Sequence, residues 1–242
     1  MVPQTQWAPP VQGIPGCPQG LEYLTQIDQV VIKQQPDLIE AFVGWEQCNK
    51  YKILNNQGQQ IYFAAEESSM CQRQFCGSAR GFEIHITDNM NQVVMKLRRE
   101  FKCFAGCCWC ANSDGCAHEV SIEAPIGQVI GYVRQEYSCW SPNFSIRDAS
   151  KNIVMRLHGP CCVCAMPCCE DKFRLYSADD TQELGTICKK PGLNEIFTDA
   201  NTFGANFPMN LDVKMKAAVL GAVFLADFMF FESAGNQLLQ YH

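Results

Sequence analysis

The sequence lacks the motifs that mark most enzymes and nucleic-acid-binding proteins. Its four histidines form no H-E-x-x-H pair, and it has neither a glycine-rich phosphate loop nor a G-x-S-x-G turn. Long basic blocks are also missing, and the formal net charge of the 242 residues is -6. This charge argues against bulk electrostatic binding to nucleic acid. We therefore expect neither an enzyme active site nor a nucleic-acid partner.

An apolar run long enough for an ordinary transmembrane helix is missing as well. The run over residues 217–231 would span about 22 Å as a helix, against roughly 30 Å of bilayer hydrocarbon. It also contains Asp227, whose carboxylate is costly at bilayer depth. Two interpretations remain open, a core helix that is apolar on every face and a membrane anchor. The residues that would make either contact are Ala217, Gly221, Phe224, Asp227 and Phe231.

No secretory signal is visible, because the N-terminal residues include Pro and Gln where a signal needs an apolar core. They predict a disordered, Pro-containing tail over residues 1–20. With 47% hydrophobic residues, the chain can bury a sizeable core. We expect one domain over residues 21–235, with its central helix over residues 214–232, and a short tail over residues 236–242.

What the sequence does have is sixteen cysteines, most of them in two clusters. Without a secretory signal they are expected to be reduced, and adjacent cysteines do not easily pair with each other. Clustering therefore favours lipid attachment or a metal site over structural disulfides. The clusters consist of Cys103, Cys107, Cys108, Cys110 and Cys116, and of Cys161, Cys162, Cys164, Cys168 and Cys169.

The two clusters occupy matching places in an internal repeat of about sixty residues. Residues 93–97 (VVMKL) resemble residues 153–157 (IVMRL), and a cysteine cluster follows each. Two clear copies indicate a duplicated supersecondary unit rather than a solenoid. The other matching pairs are 82–84 with 144–146, 120–122 with 173–175, and 131–133 with 185–187.

Alternating apolar residues predict about ten to twelve short strands. So many strands predict a mainly β protein, in which one antiparallel sheet curls or closes. A closed barrel of about twelve strands is too wide for strand side chains alone to fill. A helix apolar on every face would fill it, and residues 217–231 are the one such segment. The strands are expected near 51–54, 60–64, 82–86, 93–97, 119–123, 129–134, 144–147, 153–157, 172–176 and 183–188.

The chain resembles the phospholipid scramblase family from residue 21 to residue 232. The resemblance implies a tubby-like fold, a twelve-stranded barrel around a buried hydrophobic C-terminal helix. It also implies calcium-dependent, ATP-independent movement of phospholipids between bilayer leaflets in both directions. Such movement requires no covalent chemistry, because lipids move down their gradient. The segments that carry the resemblance are GLEYLTQID (20–28), QQIYFAAE (59–66), IGYV (130–133), FTD (197–199), NLDVKMK (210–216) and DFMFFE (227–232).

The resemblance implies calcium as a cofactor, bound by residues 199–210. In a twelve-residue loop, Asp199, Asn201 and Asn210 would be the first, third and twelfth residues, and Gly204 the sixth. The family commonly has Asp at the third and twelfth positions, so we expect weak binding. The alternative is a turn-rich connection into the last helix. The candidate ligands are Asp199, Asn201, Phe203, Ala205, Phe207, Asn210 and Asp212.

The family also carries a palmitoylated cysteine tract, which here corresponds to a shorter run without its proline. Acyl chains and a nearby basic patch are the two signals that stable anchoring needs, and Trp109 would favour the membrane interface. The alternatives are a zinc site, which the C-x-x-C spacings allow, and unmodified thiols. The candidate lipidation residues are Cys103, Cys107, Cys108 and Cys110, and the basic residues are Lys96, Arg98, Arg99 and Lys102.

The implied location is the cytoplasmic face of the plasma membrane, or the cytosol or nucleus without acylation. A closed barrel offers lipids no obvious path, so scrambling would need a homo-oligomer or release of residues 217–231 into the membrane. The rival hypothesis is a lipid-anchored adaptor or signalling protein, in which Ala8-Pro-Pro10 would dock an SH3 or WW domain. DNA binding and transcriptional regulation are the weakest option for this acidic chain.

Overall fold

Twelve antiparallel strands close into a barrel around one α-helix in the part of the chain that the computed structural model describes. That part comprises residues 6–35, 49–67, 81–102, 108–160, 172–189 and 202–231. Each strand pairs with its neighbours in sequence, and the first pairs with the last. The closed barrel that the sequence predicts is therefore confirmed.

The predicted strands correspond to β2 to β11, whereas β1 and β12 were not predicted. These two strands pair with each other and close the barrel. The strands are β1 (Gln29–Gln34), β2 (Lys50–Leu54), β3 (Gln60–Glu67), β4 (Phe82–Thr87), β5 (Val93–Arg99), β6 (Glu119–Glu123), β7 (Val129–Glu136), β8 (Asn143–Asp148), β9 (Ile153–His158), β10 (Lys172–Ser177), β11 (Glu183–Lys189) and β12 (Thr202–Asn206).

The barrel surrounds the central helix α1 (Val213–Ala226), which agrees with its being apolar on almost every side. Every residue from Met215 to Ala226 is buried. Phe224 packs edge-on against Tyr51 and Phe203, with ring centres 5.2 and 6.1 Å apart. The core-helix interpretation is thus confirmed. Within the described ranges, no helix combines the length and the apolar character that crossing a bilayer requires.

The two ends of α1 differ. At its start, the Asp212 carboxylate accepts hydrogen bonds from the backbone N–H groups of Lys214 and Met215, at 2.9 and 3.3 Å. Asp212 is therefore an N-cap that satisfies otherwise unpaired donors. After Ala226 the chain continues as a π-helical turn, Asp227–Phe231. The helix predicted over residues 214–232 corresponds to α1 together with this turn.

Five hairpins of the barrel share one turn geometry. Each has a register shift in the last strand pair before the turn and one residue with positive φ within it. This combination is typical of hairpins that contain a β-bulge. The two copies of the internal repeat map onto β4–β7 and β8–β11, in the same order. The residues with positive φ are Gly58, Asn91, Gly127, Lys151 and Asp180.

The alternation of short and long connections makes the two ends of the barrel unlike. At one end, which we call the turn end, lie the five hairpin turns and the connection from β12 to α1. At the other, which we call the loop end, lie the longer connections that follow β1, β3, β5, β7, β9 and β11. The helix runs from the turn end to the loop end, because it follows β12 directly.

Residues 6–20 pack against the barrel, in contrast to the disordered tail predicted for residues 1–20. Trp7 forms a parallel bridge with Gln60, and the buried Ala8 donates its backbone N–H to the Gln60 carbonyl oxygen at 2.8 Å. A Pro-containing segment is extended, but its other residues keep backbone groups that can pair with a strand. Gly20 has a φ of +87°, and a Cβ there would lie 2.3 Å from Val94 Cγ1.

Candidate functional site

The predicted calcium loop is mostly a barrel strand in the described residues. Residues 202–206 form β12, which pairs with β1 on one side and with β11 on the other. The side chains of Phe203 and Ala205 are buried in the core. A strand paired on both sides directs its backbone oxygens to its neighbours, so it does not wrap around an ion. The prediction of a loop is wrong for this part of the segment.

Two polar side chains at and after the end of β12, those of Asn206 and Asp212, already have other partners. The Asp212 carboxylate caps α1, and Asn206 Oδ1 accepts hydrogen bonds from the backbone and the hydroxyl of Thr186, at 2.6 and 2.8 Å. Phe207 is buried, and Asn210 is exposed in a turn. Asp199 and Asn201 lie outside the described residues. The described part therefore does not fit a wrapped calcium loop, and calcium binding stays a prediction.

One group of metal-donor side chains occurs within the described ranges, and it lies elsewhere. His85 Nε2 is 3.4 Å from a Glu67 oxygen and 3.8 Å from a Glu83 oxygen. However, Lys96 Nζ is 2.7 Å from Glu83, and its hydrogen bond lowers the pKa of the Glu83 carboxyl group. Arg98 approaches the same carboxylate at 3.4 Å. These contacts indicate an ion-pair network on the outer face of β3, β4 and β5.

Of the four predicted lipidation cysteines, Cys110 is the one whose side chain the structure describes. Cys110 is exposed and is the last residue of the 3₁₀ turn Cys108–Cys110. Cys103 and Cys107 lie outside the described residues, as do the side chain of Cys108 and the whole second cluster. An exposed thiol is accessible to acylation, which stays a prediction.

The four basic residues near these cysteines do not form one patch, which corrects the prediction. Side chains on a strand alternate between its two faces, and on β5 this separates Lys96 and Arg98 from Arg99. Arg99 is 2% exposed, and its guanidinium carbon lies 4.6 Å from the centre of the Phe82 ring. Lys102 donates to the carbonyl oxygens of Asp114 and Ala117. Arg99 is therefore unable to contact a membrane from its place inside the barrel.

Aromatic side chains cluster on the outside of the loop end, and the sequence analysis identified only Trp109 among them. Trp140 is 82% exposed, Trp109 67% and Tyr137 48%. Trp109 Nε1 donates to the Cys139 carbonyl oxygen at 2.9 Å, and the Tyr137 hydroxyl lies 3.4 Å from Cys139 Sγ. The hydrogen bond with Cys139 raises the pKa of Tyr137. We call Trp109, Tyr137 and Trp140 the aromatic surface.

Trp140, Tyr137 and Cys139 were not predicted as part of this site because they lie about thirty residues from the cysteine cluster. They belong to the β7–β8 connection, whereas Trp109 belongs to the β5–β6 connection. Both connections lie at the loop end, and the barrel brings them together. A signal was available in the sequence, since Tyr137-Ser-Cys-Trp140 places aromatic residues in a predicted loop.

A buried lysine marks the other end of the barrel. Lys216 is 1% exposed, and its Nζ donates to the carbonyl oxygens of Leu24, Ile27 and Met209 at 3.0, 2.7 and 2.7 Å. Burial lowers the pKa of this amine. The three hydrogen bonds connect the start of α1 to the N-terminal segment and to the β12–α1 connection. The only signal in the sequence is a lysine directly before an apolar run.

The model of the scramblase family matches residues 8–233 of the chain. The chain belongs to the scramblase family. Human phospholipid scramblase 1 is 47% identical to it over 234 residues, which cover 96% of this chain and 71% of the human protein. Bovine phospholipid scramblase 2 is 47% identical over 232 residues, which cover 95% of this chain and 77% of the bovine protein. The family resemblance seen in the sequence is confirmed.

The match begins at Ala8, the residue whose backbone pairs with Gln60. The family domain therefore includes the N-terminal segment that packs on the barrel. A solved structure of a protein from Arabidopsis thaliana aligns over 81% of this chain and 90% of its own, with 10% identity and a TM-score of 0.43.

Proposed function

We propose that this protein moves phospholipids between the leaflets of a bilayer, in both directions and without ATP. The observation that carries the proposal is its 47% identity to human phospholipid scramblase 1 over 96% of the chain. The identity extends over the whole barrel and its central helix. The absence of enzyme motifs from the sequence agrees with a process that breaks no covalent bond.

The physical requirement is a lower barrier for a charged headgroup that crosses hydrocarbon. Among the described residues, the apolar side chains of α1 are enclosed by the barrel on every side and cannot contact lipid. The three hydrogen bonds of Lys216 oppose release of the helix. We therefore propose that the barrel stays closed and acts on the bilayer from its outer surface, alone or as a homo-oligomer.

Membrane association through acylated cysteines is part of the proposal. The exposed thiol of Cys110 supports it, and so does its position beside Trp109. The cytoplasmic face of the membrane, as the side of contact, is proposed on the family resemblance. Calcium dependence comes from the family resemblance alone. Because the described part of residues 199–210 does not fit a wrapped loop, we assign no step to the ion.

Reconstitution tests the proposal directly. Purified protein is placed in liposomes that contain a fluorescent phospholipid, and a membrane-impermeant reductant reports the fraction of label that reaches the outer leaflet. We expect faster loss of protected label than in protein-free liposomes. Measurements with calcium and with a chelator show whether the ion is needed.

The matched control for reconstitution is Gly221→Trp. A Cβ at Gly221 would lie 3.0 Å from Ile122 Cγ1, so an indole cannot fit beside the helix. We expect this variant to lose the activity together with the fold. Equal rates in liposomes with wild-type protein and in protein-free liposomes would contradict scrambling. That result would favour the lipid-anchored adaptor.

A further inference from the structure

The aromatic surface exposes more aromatic area than folding alone accounts for. Trp140 is 82% exposed and Trp109 67%, whereas Trp7, which bridges to Gln60, is 37% exposed. Single exposed apolar residues are common, but a cluster of large ones marks an interaction site. Two separate connections contribute to this cluster, so it is a product of the tertiary structure.

Hydrogen bonds hold two of the three side chains in place. Trp109 Nε1 donates to the Cys139 carbonyl oxygen at 2.9 Å, so the polar edge of the indole is satisfied by the protein. The Tyr137 hydroxyl is 3.4 Å from the Cys139 thiol. The β7–β8 connection thus fixes Trp109 from the neighbouring connection. Because the rings are already ordered, little conformational entropy is lost when they bind.

We propose that the aromatic surface docks, without any covalent lipid, at the headgroup level of a phospholipid bilayer. This proposal rests on the proposed function, for which it names the contact surface. Tryptophan and tyrosine combine an apolar ring with a polar group, and both are enriched at membrane–water interfaces. A bilayer also suits a surface that protrudes from two loops rather than one that lines a groove.

The charges around the aromatic surface favour the same occupant. Asp114, on the β5–β6 connection, lies 2.6 Å from Arg134, and this ion pair lowers the pKa of its carboxyl group. The Lys102 amine donates to the backbone of the same connection. Glu136, which directly precedes Tyr137, is likewise paired, with Arg147 at 2.7 Å. Both carboxylates therefore have a cation partner, which reduces their repulsion of anionic headgroups. The exposed Cys110 thiol is adjacent to Trp109, so acylation would strengthen the same contact.

The turn end offers a matched comparison. Met90 is 67% exposed, Ile126 48% and Met209 51%. These residues are apolar, but they lack the polar ring atoms that favour the interface. If general hydrophobicity drove binding to the bilayer, the turn end would bind vesicles as well as the loop end does. The proposal therefore predicts a difference between the two ends of one molecule.

The test uses the full-length chain from a bacterial host, treated with hydroxylamine so that no thioester-linked lipid remains. Binding to vesicles of phosphatidylcholine with phosphatidylserine is measured by flotation. We expect Trp109→Ala with Trp140→Ala to weaken partitioning roughly tenfold or more, because two interfacial anchors are lost. Met90→Ala with Ile126→Ala should bind as wild type. Thermal melting establishes that both double variants fold.

A second readout locates the contact. Brominated lipids quench tryptophans that enter the bilayer, so quenching should be strong in wild type and should fall in Trp140→Phe. Equal binding of both double variants would overturn the proposal, and so would the absence of quenching. If the wild-type chain did not bind vesicles but bound a protein through the aromatic surface, the surface would belong to a protein partner. That result would also overturn the proposal.

These outcomes separate the docking proposal from the proposed function. Vesicle binding that depends on the aromatic surface, in a protein that does not scramble lipids, would support docking and contradict scrambling. Normal scrambling and binding by Trp109→Ala with Trp140→Ala would contradict docking and leave scrambling in place.

Discussion

The turn end and the loop end of this barrel are built on different principles. At the turn end, five hairpins share one geometry, a β-bulge with one positive-φ residue. The N-cap of α1 and the hydrogen bonds of Lys216 hold the start of the helix at the same end. At the loop end, longer connections carry exposed cysteines and aromatic residues. The comparison indicates that the turn end maintains the fold, whereas the loop end provides surface for contacts.

The largest expected effect is at Lys216. In Lys216→Met the carbonyl oxygens of Leu24, Ile27 and Met209 lose their donor, and those of Leu24 and Ile27 remain buried. We expect a loss of about 3–4 kcal/mol in the free energy of unfolding, measured by urea denaturation. The control is Lys214→Met, two residues earlier at a half-buried site, which should cost less than about 1 kcal/mol. Similar losses in both variants would show that the bonds do not hold the turn end.

The second effect is at Gly20, where the N-terminal segment packs against Val94 of β5 at the turn end. In Gly20→Ala the new Cβ would lie 2.3 Å from Val94 Cγ1, and a φ of +87° is unfavourable for alanine. We expect about 2–3 kcal/mol of destabilisation by thermal or urea unfolding. Gly13→Ala is the control, because a Cβ there meets nothing within 4 Å, and it should change stability by less than about 0.5 kcal/mol. A neutral Gly20→Ala would mean that the segment does not pack as described.

The third effect is a dependence of the free energy of unfolding on pH, through His118 at the loop end. His118 is buried, and desolvation lowers its pKa from 6.5 to about 3. Its neutral form therefore stabilises the fold above pH 6.5, and this contribution decreases as the pH falls towards 3. At pH 5 the wild type should have lost about 2 kcal/mol through this group, and His118→Phe should retain that amount. Parallel curves of stability against pH for the two proteins would refute the assignment.

The smallest effect tests the shared hairpin geometry. Asn91 has a φ of 59°, which asparagine and glycine tolerate and β-branched residues do not. Asn91→Val should cost about 1–2 kcal/mol, whereas Asn91→Gly should stay within about 0.5 kcal/mol of wild type. Urea denaturation measures both. If the valine variant is as stable as the glycine variant, this turn does not depend on its positive φ.

The ten strands from β2 to β11 were predictable from the sequence because each belongs to a local hairpin. Alternation of apolar residues and polar turns, as in residues 82–91, is a short-range signal. β1 and β12, which form the pair that closes the barrel, were not predicted. β12 contains Thr, Gly and Asn, so it resembles a loop, and its partner lies at the opposite end of the chain. Pairing over such a distance leaves no local pattern.

The same limit explains the errors at the candidate sites. The twelve-residue calcium loop follows from residue types, but residues 202–206 are held between β1 and β11. The basic patch follows from closeness in sequence, but strand alternation directs Arg99 into the barrel. The sequence indicates aromatic residues in each of the two connections, but only the barrel brings Trp109 close to the connection that carries Tyr137 and Trp140.

The sequence by itself determined the strand and turn pattern, the all-round apolar helix and the family, since all three depend on local composition or on similarity along the chain. The tertiary structure alone decided that β12 is a strand, that Lys216 is buried with three carbonyl partners, and that Trp109 and Trp140 share one end. The physical reason is barrel closure. It brings distant segments together, and only there do hydrogen-bond partners and buried surface decide the role of each residue.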